Sequence, residues 1–215
     1  MSGLLDVADI VNDYSLMSRW TATERYGLRA APGGLALVQD LVNTRAITGH
    51  GADLLADGAQ AHRWAGDAVE AWALESGSSF HPPALSDNDA SRLRDLRALL
   101  DSLLDPTSSM RPKLSGAATL AFDDAGNVRL EPMGRGWRWL SSAVMAEVLL
   151  SQQNGTWRRL KRCRNSDCGS AFYDRSKNSS GVWHDVKTCG NVANLRASRA
   201  RRRPDARRQA SPRQA

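Results

Sequence analysis

The sequence predicts an α+β chain: a mostly helical N-terminal domain with one β-hairpin, then a small cysteine-histidine module that ends in a helix. Three observations predict it. Apolar residues recur at helical spacing in four stretches before residue 155, the period shortens to two around residues 117–131, and all three cysteines fall within residues 163–189.

Taken in order, residues 1–32 form an N-terminal extension of weak periodicity, with Trp20 and Tyr26 as its bulky aromatics. Pro32-Gly33-Gly34 then opens a helix whose apolar positions 35, 38, 41 and 42 share a face, and Asn43 and Thr44 are read as its end. Asp57 is placed to cap a second helix that carries Ala61, Trp64, Ala65, Ala68, Val69 and Trp72 on one side. Ser86 and Asp89 have capping-box spacing ahead of the clearest helix, with an apolar stripe of Leu93, Leu96, Leu99, Leu100, Leu103 and Leu104. Its charged residues, Arg92, Arg94, Asp95, Arg97 and Asp101, are expected to face water mostly, and Pro106 stops it. Residues 117–122 and 128–131, joined through Asp123-Asp124-Ala125-Gly126-Asn127, read as a hairpin. A last helix of this domain runs from about residue 139 to residue 153, and Asn154-Gly155 ends it. Trp64, Trp72, Trp137 and Trp139 suit either a small-ligand pocket or plain core.

Charge divides the chain. Residues 151–215 hold sixteen Lys/Arg against four Asp/Glu, a net +12, while residues 1–150 are at net −6. One part therefore suits a polyanion and the other does not. No apolar run reaches the roughly 18 residues of a transmembrane helix. The N-terminus lacks a secretory signature, so the expected location is cytoplasmic, with thiols reduced.

The candidate ligands are Cys163, Cys168, His184 and Cys189, two close pairs separated by a fifteen-residue loop. Such pairs each offer two ligands from one tight turn, and thiolate with imidazole suits a structural Zn²⁺. Four protein ligands close the coordination sphere, which points away from a catalytic metal. Lys161, Arg162 and Arg164 would offset the site's negative charge, and Ala171-Phe172-Tyr173 with Val182-Trp183 would supply a miniature core. The spacing alone also accommodates three unrelated thiols and a surface histidine.

Leu160-Lys-Arg-Cys163-Arg-Asn-Ser-Asp-Cys168-Gly, Phe172-Tyr-Asp174-Arg-Ser176-Lys-Asn178, Trp183-His184 and Cys189-Gly190-Asn191 resemble the CGNR zinc-finger family. Leu37-Val-Gln-Asp40-Leu-Val-Asn43-Thr44 and Asp53-Leu-Leu-Ala-Asp57 are similar to its N-terminal ABATE domain. The resemblance implies domains at 33–155 (ABATE-like) and 156–203 (zinc finger), leaving 204–215 as a basic disordered tail. It also implies a stress- or ligand-responsive transcriptional regulator whose zinc module binds DNA. Two positions depart from the family, which has cysteine at His184 and arginine at Val192. The first change gives a three-cysteine, one-histidine site. The second removes a charge.

After Cys189 a helix is expected in which Val192 and Leu195 pack on the module. Arg196, Arg199 and Arg203 would project from another side toward DNA, joined by Arg175, Lys177 and Lys187 from the loop. The anticipated partner is double-stranded DNA in the nucleoid, with a small-molecule effector or a second copy of the chain acting on the N-terminal domain. Adaptor and RNA-binding roles are the alternatives. His50, His62 and His81 lack a recognisable nucleophile or acid partner, so an enzyme is not expected.

Overall fold

The computed structural model describes residues 20–47, 49, 51–109, 113–196 and 198–199. Residues 1–19 of the extension, His50, Arg203 and the 204–215 tail lie outside them.

The elements are α1 (Thr21–Glu24), α2 (Leu35–Asn43), α3 (Gly58–Ser76), α4 (Asp87–Leu103), β1 (Ala118–Phe122), β2 (Val128–Pro132) and α5 (Trp137–Gln153). A 3-10 turn (Trp157–Arg159), β3 (Leu160–Arg162), β4 (Ala171–Tyr173) and a π-type turn (Val186–Gly190) follow. Residues 191–196 and 198–199 are helical. β1 pairs antiparallel with β2, and β3 with β4. Among the described residues no helix is long and apolar enough to cross a membrane.

Helix α2 is the hub, in contact with α1, α3, α4, α5 and β4. All nine of its residues are buried, so the one-sided amphipathic face expected from sequence is replaced by burial all round. Its polar residues are buried because each has a partner. Asp40 accepts hydrogen bonds from Thr23 N (2.7 Å) and Trp64 Nε1 (2.9 Å). Gln39 Oε1 accepts from Ala31 N (2.6 Å). These bonds bring residues 20–31 into the core, where Trp20, Ala22 and Ala31 are buried. Burial pushes the Asp40 carboxyl up to about 6, although the bonds from Trp64 and Thr23 pull the other way. Just before α2, a Cβ at Gly34 would lie 1.9 Å from the Glu147 carboxyl carbon, so the Glu147 side chain would have to move off its bond to Trp72.

The long helices start where their caps place them. Asp57 accepts from Gln60 N (2.7 Å) at α3. Ser86 and Asp89 form a reciprocal capping box at α4. The α4 acids also serve the neighbouring helices: Asp87 accepts from Gly58 N (2.7 Å) and Asp89 from Trp137 N (3.1 Å). The charged side of α4 departs from expectation. Arg97 makes a two-pronged pair with Asp53 (2.7 Å each), and Asp101 receives Arg45 (2.5 Å) and Arg162 (3.2 Å). Only Arg92 and Asp95 of that set are exposed, while Arg94 donates to the Leu55 and Ala56 carbonyls.

Trp64 and Trp72 are buried in the core, and Trp137 and Trp139 are half-buried against it. Trp72 stacks on Phe80 (4.6 Å between centroids), and Trp139 meets both rings edge-on. Trp72 Nε1 donates to Glu147 (2.8 Å) and Trp20 Nε1 to Glu75 (3.0 Å). A different apolar cavity, of about 410 Å³, opens between α4, α5 and the hairpin, lined by Leu100, Leu114, Leu130 and Met145 among others.

Candidate metal centre and nucleic-acid interface

The first ligand pair comes from the β3–β4 hairpin. Cys163 follows β3, and its N–H donates to Ser170 O (2.8 Å), so the strands close a loop around the second ligand. Within that loop Cys168 N and Gly169 N both donate to Asn165 O (2.9 Å), a turn completed by Gly169 at φ +58°.

The second pair brackets the turn before the last helix. Asp185 accepts from Thr188 N (2.9 Å), and its carbonyl receives the N–H groups of Cys189 and Gly190. Gly190 lets the turn approach Trp183 closely: a Cβ there would lie 2.8 Å from the ring, which would have to shift.

These two turns bring the ligand atoms of Cys163, Cys168, His184 and Cys189 within 4.8 Å of one another. His184 Nδ1 lies 3.3 Å from Cys168 Sγ and 3.6 Å from Cys189 Sγ. A tetrahedral zinc, with Zn–S of about 2.3 Å and Zn–N of about 2.0 Å, has sulfur–nitrogen edges of about 3.5 Å. The donor set and its spacing therefore fit zinc. Asn165 Nδ2 donates to Cys189 Sγ (3.3 Å), which stabilises a thiolate. The thiols of Cys163 and Cys168 share a hydrogen bond, which pushes the first up and the second down.

The loop between the ligand pairs is built on Asp174. It accepts from Lys161 Nζ (2.7 Å), Ser176 N (2.9 Å) and Gly181 N (2.7 Å). Burial alone would raise its carboxyl, but these donors outweigh it and hold it well below the usual carboxylate range. Lys161 is thus committed to Asp174 and Arg162 to Asp101, rather than to offsetting the ligand charge as expected.

The module does not stand apart from the helical domain. Ala171 N donates to Asn43 Oδ1 (2.8 Å), while Asn43 Nδ2 (3.0 Å) and Gln39 Nε2 (3.2 Å) donate to Ala171 O. Leu160 and Ala171 are buried in the main core and Tyr173 packs against it; the cluster's own apolar lining is Phe172, with Trp183 and Leu28 against it. The miniature core expected from Ala171–Tyr173 is therefore shared, with alternate β4 residues facing opposite ways. Asn43 does more than end its helix.

The expected nucleic-acid residues fall into three groups. Arg175 Nη2 donates to Ala30 O (2.7 Å) and its guanidinium lies over Tyr173; Arg196 is paired with Asp167. Lys177, Lys187 and Arg199 are exposed. Arg203 lies outside the described residues. Val192 and Leu195 are 41% and 51% exposed instead of packed on the module, because neither belongs to the small cluster of Cys163, Phe172 and Cys189.

Family models match in the order of these two regions. The CGNR zinc finger matches residues 159–202, and ABATE, described as "Putative stress-induced transcription regulator", matches residues 35–152. No curated protein matches the chain. Neither matched family is an enzyme family. The cofactor is a structural zinc ion, consistent with the three-sulfur, one-nitrogen cluster. The ABATE match covers more than half of the sequence, and the chain belongs to that family, with a CGNR zinc finger behind it.

Proposed function

We propose that this protein is a DNA-binding transcriptional regulator whose zinc, held by Cys163, Cys168, His184 and Cys189, orders a basic module. The observation that carries this reading is a four-ligand cluster set inside the part of the chain with net +12. Closed tetrahedral sites shape a surface and leave no coordination position for substrate. Of the six cations expected at DNA, Lys177, Lys187 and Arg199 are exposed and offered to phosphate, whereas Arg175 and Arg196 act within the fold.

The apolar cavity between α4, α5 and the hairpin is where we place a small, mainly apolar effector. Trp72 and Trp139 instead pack on each other and on Phe80.

A salt series of gel shifts on duplex DNA tests the DNA reading. Binding at low salt that weakens linearly on a log–log scale is expected, and no binding at low salt would sink it. Metal analysis tests the ligand set. The intact protein should carry about one zinc per chain, lost on Cys163→Ser. Full zinc retention in His184→Ala would show that the fourth ligand is another group.

A further inference from the structure

A cleft of about 930 Å³ runs between the C-terminal end of α4 and the zinc module. Its walls carry Arg158, Lys161, Arg162 and Arg164 against one carboxylate, Asp105. Lys161 and Arg162 are spent on Asp174 and Asp101, so they shape the wall rather than wait for a ligand. Arg158 and Arg164 differ: both are exposed, and neither side chain has a hydrogen bond or ion pair with another described residue, although Arg164 lies in the field of Asp105. Asp105 is partly occupied, since its carboxylate accepts from Thr107 N (2.9 Å) and Thr107 Oγ1 (2.7 Å).

We infer that this cleft is a seat for the DNA sugar-phosphate backbone, with Arg158 and Arg164 each neutralising one phosphate. The inference rests on the DNA-binding reading above and adds where the strand lies. Arg164 follows ligand Cys163 directly, and its N–H is fixed by Val182 O (3.1 Å), so the zinc turn sets the position of that cation. The opposite wall, Leu104 to Thr107, belongs to the helical domain. Leu103 lines both this cleft and the apolar cavity, which makes α4 the element shared by the two. Guanidinium groups suit phosphate forks, and the apolar lining provided by Leu104, Pro106 and Trp157 suits deoxyribose.

The test uses the full zinc-loaded chain and a duplex of random sequence. In Arg158→Ala/Arg164→Ala, with zinc content and melting unchanged, the slope of log affinity against log salt should fall by about 1.8, or about 0.9 for each single variant. Asp105→Asn should bind more tightly than wild type. Arg63→Ala, exposed on α3, should leave the slope as it was. A wild-type slope in the double variant overturns the cleft while leaving the DNA-binding reading in place. So does an Arg63→Ala loss as large as that of Arg164→Ala. Failure of wild type to bind overturns both.

Discussion

In α2 even Gln39, Asp40 and Asn43 are buried, whereas in the helix after Cys189 even Val192 and Leu195 stand largely in solvent. Both segments show apolar residues at helical spacing. The difference lies in what surrounds them. Five elements pack around α2, and its polar atoms hold the segments that converge on it: residues 20–31, α3 and β4. The last helix is placed by its covalent link to Cys189 and by the Arg196–Asp167 pair. One helix organises the fold and the other is presented to the outside.

The largest effect should come from breaking the clamp between α2 and β4. Asn43→Leu leaves the buried Ala171 N–H without an acceptor and takes one donor from Ala171 O, so unfolding free energy should fall by about 3 kcal/mol. Urea denaturation measures it, and zinc affinity should weaken in parallel. A loss below about 1 kcal/mol would mean that the two regions are joined mainly by apolar packing.

The next effect is in pH. Asp40 is held above its unfolded value, so the native state binds its proton more tightly. Its contribution to stability is full below about pH 4 and is lost as pH rises through about 6. Asp174 works in the opposite sense: its contribution is present above about pH 4 and fades as acid protonates it. Denaturation across pH 4–7 should therefore show a decline that Asp40→Asn flattens. Glu75 and Glu147, both raised by burial, leave a residual slope. An identical profile in the variant would remove Asp40 from the account.

The smallest effect is at the exposed helix. Leu195→Ser and Val192→Ser should each change stability by no more than about 0.5 kcal/mol in thermal melts of the full chain. A loss of about 2 kcal/mol would show that these side chains are covered in solution.

Local signals explain which parts of the fold were legible. Asp57, the Ser86–Asp89 box and the Asp123–Asn127 turn mark their elements within a few residues, because a cap or turn acts on its own neighbourhood. The cysteine spacing identified the cluster for the same reason: each pair sits on one turn. Asn43 and Ala171 are 128 residues apart, and nothing in either neighbourhood announces the bond. Arg97 with Asp53, and Arg162 with Asp101, were hidden likewise. For Val192 and Leu195 the pattern gave a face, but periodicity does not say what covers it. From sequence Arg164 is expected only to offset the ligands' charge and Arg158 belongs to no motif or helical stripe; the cleft brings the two together.

On the proposed function, the zinc cluster orders the surface offered to DNA. The most direct test is the affinity of the intact protein for duplex DNA with zinc bound, after chelation, and after zinc is restored. Affinity should be lost with the metal and return with it, while the helical signal from α2–α5 largely persists. Undiminished binding by the zinc-free chain would contradict the account.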